Sequence, residues 1–344
     1  MGNSFRKKRR GRRRRREIPS WKKIKSSLMS SKSSLTERWV ALQFCRKKAP
    51  SREELGRVLI EALKYNKDSI LMRHEIAFAL GQTGCGVNVL KKIMRNEKGE
   101  DEVTRHEAAE SLSTLENCKN DFELYAKNRD QYPILADTCA LALEGMRRFL
   151  SGEIDAAFAP CGCVTHKNKE DSRLPKALKI LTIDEEITAC KILKDTQSTL
   201  YDRYEALFEL RDQHRDIDVA VKTIADTLKN DSSSACFRHE LAFTLGILGS
   251  SCDAENILIS KLRDKSEHSV VRHEAALALQ CLESDRAALA LRRVSKLSTE
   301  DPMVRESCIV ALAMRSYILP GTGELETEQE EEYIFGFTGG RSSS

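Results

Sequence analysis

The chain has 344 residues, with 57 Lys and Arg against 52 Asp and Glu, which gives a formal net charge of +5. No apolar run approaches the roughly 18–20 residues that a membrane-spanning helix needs, and the N-terminus lacks an apolar signal-peptide core. The 11 cysteines follow no disulfide-framework spacing, which argues against a disulfide scaffold. We therefore expect a cytoplasmic protein without membrane association.

The positive charge is concentrated at the N-terminus. Residues 1–34 contain 14 Lys and Arg and one acidic residue, so the rest of the chain is net acidic. Two basic runs, Arg6 to Arg10 and Arg12 to Arg16, precede a Ser/Lys-rich stretch. This composition predicts a disordered basic arm over 1–34. Two interpretations stay open: an arm that binds nucleic acid or an import receptor, which would add a nuclear location, or a solvated extension without such a partner.

From Leu35 onward the sequence predicts helices, and four of them contain the tripeptide Arg-His-Glu. The four copies are Arg73-His74-Glu75, Arg105-His106-Glu107, Arg238-His239-Glu240 and Arg272-His273-Glu274. Each copy opens a stretch rich in small apolar residues, such as IAFALG after the first and LAFTLG after the third. Asp68 or Ser69 is predicted to cap the first of these helices.

The spacing of the tripeptides predicts a duplicated repeat array. The histidines lie 32 residues apart in the first pair and 34 in the second, and corresponding histidines of the two pairs lie 165 and 167 residues apart. A period in the low thirties is typical of helical repeats, and the longer period indicates that the array itself is duplicated. The predicted fold is all-α: a HEAT-type helical repeat array with two duplicated halves of stacked helix pairs joined by a linker.

The predicted boundaries follow from where this pattern starts and stops. The linker contains Gly, Pro and charged residues without helical periodicity, and the C-terminal tail is acidic and is predicted to be disordered. The segments are the arm 1–34, the N-terminal half 35–150, the linker 151–182, the C-terminal half 183–319 and the tail 320–344.

Three residues in the linker raise the alternative of a zinc site. Cys161, Cys163 and His166 lie within six residues of one another. A structural zinc site needs four ligands, usually in paired clusters, and the sequence has no second cluster nearby. The linker interpretation is therefore favoured.

Histidine followed by glutamate on equivalent helices is suited to metal binding between repeats. Stacked repeats bring equivalent helices side by side, so a histidine of one repeat can meet the histidine and glutamate of the next. Two imidazoles and one carboxylate leave coordination positions open, as in non-haem iron sites that use dioxygen. Folded across the linker, the two halves could bring two such sets together, with one glutamate per half left to bind or orient a substrate.

An alternative explanation is that Arg-His-Glu is a repeat consensus that forms interhelical salt bridges. The repeats at Thr138 and Ser307 keep the surrounding pattern but lack the doublet, which argues against a purely structural role. A glutamate that faces the stack would also need a cation to offset its desolvation.

The four His-Glu doublets, the segment from Tyr204 to Arg211 and the segment from Val304 to Cys308 together resemble the deoxyhypusine hydroxylase family. The resemblance covers roughly residues 35–318. It implies a HEAT-repeat di-iron monooxygenase that hydroxylates the deoxyhypusine side chain of translation factor five A to form hypusine, a post-translational modification. The Arg-rich arm and the long linker are departures from the family pattern.

The resemblance also implies a role for each residue of the doublets. The cofactors it implies are two Fe²⁺ ions, with O₂ as co-substrate, in a protein expected to be a monomer. One iron is assigned to His74, His106 and Glu107, the other to His239, His273 and Glu274, and the substrate amine to the carboxylates of Glu75 and Glu240.

A non-enzymatic HEAT-repeat scaffold that binds a protein or nucleic-acid partner is the main competing hypothesis. Its concave face would hold the protein partner and its basic arm would hold nucleic acid. A scaffold has no reason to retain stoichiometric iron, so metal content separates the two hypotheses.

Overall fold

The computed structural model describes residues 19–115, 118–153, 180–249, 251–282 and 284–318. Within these ranges the chain forms sixteen α-helices and no strand. Those of the first half are α1 Trp21–Leu28, α2 Leu35–Lys48, α3 Arg52–Ala62, α4 Ile70–Thr83, α5 Val87–Met94, α6 Glu102–Leu115, α7 Lys119–Ala126 and α8 Pro133–Ser151. Those of the second half are α9 Ile183–Lys194, α10 Leu200–Gln213, α11 Ile217–Asn230, α12 Ala235–Leu248, α13 Cys252–Arg263, α14 Ser269–Cys281, α15 Asp285–Val294 and α16 Pro302–Ile318.

The helices form two layers. Each even-numbered helix packs against the odd-numbered helix before it, and the even-numbered helices also pack in sequence, α4 on α6, α6 on α8, α12 on α14 and α14 on α16. The odd-numbered helices of the second half contact one another in the same way, α9 with α11, α11 with α13 and α13 with α15. The prediction of an all-α helical repeat array is confirmed. Among the described helices, none combines the length and apolarity needed to cross a bilayer.

The two halves meet at both ends of the inner layer. Helix α8 contacts α10 and α12, and α16 contacts α2 and α4. At each meeting point a serine N-cap donates its hydroxyl to a carboxylate of the other half: Ser234 to Asp137 and Ser69 to Glu306, each at 2.6 Å. We call these two contacts the seams. The seams place the inner helices of the two halves opposite each other.

Helix α4 illustrates why the inner helices form where they do. Ser69 caps it by accepting a hydrogen bond from the backbone N–H of Met72 at 3.1 Å, as one of the two predicted caps. Helix α4 is buried on most of its sides because it lies between the outer layer and the other half. Its buried residues include Leu71, Ile76 and Leu80. Such burial of an apolar helix on nearly all sides is the expected state of an interior element.

The arginine of the repeated tripeptide has a structural role. Three of the four arginines pair with a carboxylate of the following repeat: Arg73 with Glu100, Arg238 with Glu267 and Arg272 with Glu300. The fourth, Arg105, donates to the carbonyl of Met94 at 2.9 Å and lies over the ring of Tyr132. The salt-bridge interpretation of the tripeptide therefore holds for three of its four arginines.

Two glycines allow the inner helices to approach closely. A Cβ placed on Gly246 would lie 3.0 Å from the Cα of Ala278 on α14, and one on Gly81 would lie 2.7 Å from the Cβ of Ser111 on α6. Both glycines follow a His-Glu doublet by one to two turns, so the close packing that they permit brings neighbouring doublets together.

The structure differs from the sequence prediction at the N-terminus. The arm was expected to be disordered over 1–34, but α1 occupies Trp21–Leu28 and buries Ile24 and Leu28 completely against the core. Trp21, Ile24 and Leu28 supply an apolar helical face that the Ser/Lys-rich composition concealed. Residues 1–18 lie outside the described chain.

The predicted linker and tail fall largely outside the described residues. Helix α8 continues to Ser151, and Leu181 donates its backbone N–H to the carbonyl of Gln213 at 2.9 Å just before α9. Residues 154–179, with the cysteines and histidine considered for zinc, and residues 319–344 are not described.

Candidate metal centre

The four doublet histidines converge between the two halves. His74 lies on α4, His106 on α6, His239 on α12 and His273 on α14, and all four are buried. The ring centroids of His74 and His273 are 5.2 Å apart and those of His106 and His239 are 5.7 Å apart, and both pairs join opposite halves. Residues far apart in sequence thus form one cluster.

The three predicted ligands of the first half lie together. The Oε2 of Glu107 is 3.3 Å from the Nε2 of His74 and 4.0 Å from the Nε2 of His106. One ligand atom from each of the three residues lies within 4.8 Å of the others, as a shared metal ion requires.

In the second half, the carboxylate of Glu274 lies at similar distances from its two histidines. The Oε2 of Glu274 is 3.4 Å from the Nε2 of His239 and 3.6 Å from the Nε2 of His273. His74 also lies with His239 and His273 in a group whose ligand atoms are within 4.8 Å, so the two sets are adjacent. The structure therefore brings all six residues to one place, whereas their role as ligands stays a prediction.

The donor atoms fit a metal. Within the described residues, the Nε2 atoms of His74, His106, His239 and His273 are buried and have no hydrogen-bond partner. A buried polar atom without a partner is costly, and four that face one another need a common explanation. Nitrogen and oxygen ligands lie about 2.1 Å from a first-row metal, so two ligands at right angles are about 3 Å apart. The closest imidazole–carboxylate separations are near that value.

Burial and the neighbouring charged groups shift the pKa values of these residues in the metal-free protein. Burial lowers the pKa of His106 and His273 well below the ordinary imidazole value, helped by the neighbouring histidines. Burial also raises the pKa of Glu107 to about 7. For His74 burial opposes protonation, but the hydrogen bond to Glu75 and the nearby carboxylates raise its pKa to about 9. A divalent cation would favour neutral imidazoles and ionised carboxylates, which are the ligand forms.

Known proteins with similar sequences identify the family. The chain is 35% identical over 267 residues to a deoxyhypusine hydroxylase of Drosophila pseudoobscura pseudoobscura, which covers 76% of this chain and 82% of the relative. It is also 35% identical over 277 residues to a deoxyhypusine hydroxylase of Candida albicans, and this match covers 77% of this chain and 82% of the relative. The chain belongs to the deoxyhypusine hydroxylase family.

A solved structure agrees at the level of the fold. Human deoxyhypusine hydroxylase in complex with glycerol aligns with a TM-score of 0.68 and 24% identity over 86% of this chain and 96% of the human one. A search of family models gives no match for the chain.

The two remaining doublet carboxylates of this deoxyhypusine hydroxylase family member have different surroundings. The Oε1 of Glu75 lies 3.2 Å from the Nδ1 of His74, so this carboxylate is already engaged. Glu240 is buried, and its Oε1 has no hydrogen-bond partner within the described residues. Burial raises the pKa of Glu240 to about 7. The two halves are therefore not equivalent at these positions, which the sequence duplication did not predict.

Three polar residues beside the histidines were not among the predicted site residues. Thr138 and Ser307 contact the Nδ1 atoms of His106 and His273, at 2.9 and 2.8 Å. They lie 32 and 34 residues after those histidines, so the repeat period itself marks them as the matching position of the next repeat. Glu110, one turn after His106, is a further buried carboxylate, and burial raises its pKa well above the ordinary value.

Proposed function

We propose that this protein hydroxylates the deoxyhypusine side chain of translation factor five A, with two iron ions held at the histidine cluster and O₂ as co-substrate. One observation carries the proposal: four buried imidazole Nε2 atoms face one another beside the carboxylates of Glu107 and Glu274, without hydrogen-bond partners in the described chain. Membership of the deoxyhypusine hydroxylase family supports the reaction.

The proposed ligands divide between the two halves. Each iron would be held by two imidazoles and one carboxylate, a set that leaves positions open for other molecules. Bound iron would supply the activation of dioxygen, which protein side chains alone do not provide. The ligands are His74, His106 and Glu107 for one ion and His239, His273 and Glu274 for the other.

The protein's own contribution is position and charge. Ligands on adjacent inner helices are held by packing on a rigid layer, which fixes their separation before a metal binds. The buried setting keeps water from the reacting groups and strengthens the local electrostatics. The net acidic body would attract a polycationic side chain.

Glu240 is the better placed of the two proposed substrate carboxylates. Its buried Oε1 lacks a hydrogen-bond partner among the described residues, whereas the Oε1 of Glu75 contacts His74. A buried carboxylate oxygen without a hydrogen bond gains more from a cationic ligand than an oxygen that already has one, because the ion pair offsets its desolvation. We therefore assign the substrate ammonium group primarily to Glu240.

Oxygen transfer tests the proposal directly. Protein loaded with Fe²⁺ and supplied with reductant is incubated with the deoxyhypusine form of the factor under isotopically labelled O₂, and the modified peptide is analysed by mass spectrometry. We expect one labelled oxygen per modified side chain in wild type and in His214→Ala, whose imidazole forms hydrogen bonds with backbone carbonyls at the end of α10. His106→Ala should transfer none. A folded wild-type protein that binds iron but transfers no oxygen would contradict the proposal, and one that binds no iron would favour the scaffold.

A further inference from the structure

In each half, a hydroxyl group contacts the Nδ1 atom of one doublet histidine. The Nδ1 of His106 lies 2.9 Å from the Oγ1 of Thr138 on α8, and the Nδ1 of His273 lies 2.8 Å from the Oγ of Ser307 on α16. All four residues are buried, with exposures of 1% or less. The same contact occurs in both halves, although the residue that supplies the hydroxyl differs.

The direction of these hydrogen bonds follows from counting protons. A hydroxyl has one proton to donate and two lone pairs that accept. Thr138 donates its proton to the carbonyl of Ile134 at 3.0 Å, and Ser307 donates to the carbonyl of Met303 at 2.7 Å. Each hydroxyl oxygen can therefore only accept from the imidazole, so the Nδ1 atom carries the hydrogen. A neutral imidazole has a single N–H, which leaves the lone pair on Nε2.

The other groups near these Nδ1 atoms do not change the assignment. The carboxylate of Glu110 lies 3.8 Å from the Nδ1 of His106, which is beyond hydrogen-bond distance. Cys236 lies 3.6 Å from the Oγ1 of Thr138, where its thiol can donate to the second lone pair of that oxygen. The other half has Leu277 at the position that corresponds to Glu110, so only the hydroxyl is common to both halves.

We propose that Thr138 and Ser307 are positioning residues that fix His106 and His273 in the Nδ1–H tautomer and so direct the Nε2 lone pairs into the cluster. The tautomer assignment stands on the hydrogen bonds alone. Its consequence for iron binding rests on the proposed function, because it concerns the two ions held there. Groups that orient a ligand imidazole commonly change metal affinity by about 10–100-fold when they are removed.

The first experiment uses the metal-free wild-type protein. Long-range ¹H–¹⁵N correlation spectra of labelled histidine rings distinguish a protonated ring nitrogen from one with a free lone pair. We expect a protonated Nδ1 and an unprotonated Nε2 for His106 and His273 at neutral pH. A protonated Nε2 on either ring would overturn the tautomer assignment, whatever the protein does with iron.

The second experiment separates the hydroxyl from the volume that it occupies. Thr138→Val keeps the shape of the side chain and removes the hydroxyl, whereas Thr138→Ser keeps the hydroxyl. Thr227→Val is the matched control, since Thr227 is buried on α11 and donates to the carbonyl of Thr223 in the same way, without contacting a doublet histidine. Fe²⁺ affinity is measured by equilibrium titration.

We expect Thr138→Val to weaken one of two Fe²⁺ sites by about 10–100-fold and to mix the tautomers of His106, with Ser307→Ala acting likewise on His273. Thr138→Ser and Thr227→Val should bind as wild type. Unchanged affinity and tautomer in Thr138→Val would overturn the proposal. If wild-type protein shows the expected tautomers but binds no Fe²⁺, the proposed function fails and the tautomer assignment stands.

Discussion

Replacing Arg272 by methionine tests whether the first residue of the repeated tripeptide is structural. Arg272 is 4% exposed and donates to both oxygens of Glu300, at 2.7 and 2.8 Å, and to the carbonyl of Leu262 at 3.1 Å. Methionine keeps most of the apolar stem but leaves Glu300, which is 5% exposed, with Lys265 as its remaining basic partner. Breaking a buried pair costs about 3–5 kcal/mol. Because Lys265 stays, we expect the lower end, about 3 kcal/mol.

The pH dependence of the free energy of unfolding tests the same ion pair, because the pKa of Glu300 determines the direction in which stability changes with pH. Burial alone would raise the pKa of Glu300, but hydrogen bonds from Arg272 and Lys265 lower it from 4.5 to about 2. Because the pKa of Glu300 is lower in the folded than in the unfolded chain, the ionised carboxylate stabilises the fold above pH 4.5. This contribution is lost as the pH falls towards 2. The difference corresponds to about 3 kcal/mol for all the groups around Glu300, among which Arg272 contributes most to lowering the pKa. The variant should therefore lose less stability than wild type over that pH range.

Denaturant unfolding, followed by circular dichroism at pH 7 and at about pH 3, inside that window, measures both effects. The matched control is Arg286→Met, which breaks the pair of Arg286 with Glu255 at the surface, where the arginine side chain is 61% exposed. An exposed pair contributes at most about 1 kcal/mol. If Arg272→Met destabilises the protein no more than Arg286→Met does, the buried pair does not stabilise the repeats as we argue.

Three further predictions concern the site and its packing. His106→Ala should lose iron while keeping its helical circular dichroism spectrum, and retention of two irons would refute its role as a ligand. Glu240→Gln should raise the KM for the substrate more than Glu75→Gln does, because only Glu240 has a buried oxygen without a partner in the described chain; equal effects would contradict that assignment. Gly246→Ala should destabilise the protein by about 1–2 kcal/mol, because the strain of a new Cβ 3.0 Å from the Cα of Ala278 outweighs the gain in helix propensity of about 1 kcal/mol, and a raised melting temperature would contradict this.

The repeat period made the centre of the fold predictable. The spacings of His74, His106, His239 and His273 were enough to predict equivalent helices, two halves and convergence of the doublets. The all-α fold and the proximity of the four rings are found in the structure. Helical periodicity carries this information because equivalent positions in stacked repeats lie side by side.

Contacts that depend on how the two halves meet were not predictable. Ser69 and Glu306 form a seam although they are 237 residues apart, and no local pattern relates them. The different environments of Glu75 and Glu240 were not predictable either, because the duplicated sequence suggests an equivalence that the side-chain contacts do not preserve. Thr138 occupied the repeat position of a ligand histidine, but its contact with His106 became visible only in the structure.

The iron content of the protein tests the central claim most directly. The metal-free chain is loaded anaerobically with Fe²⁺, freed of excess metal and analysed for iron per folded chain, with His106→Ala treated in parallel. The proposal predicts about two irons per wild-type chain and fewer in the variant, in accordance with two sets of two imidazoles and one carboxylate. A folded wild-type chain that retains no iron would contradict the metal centre.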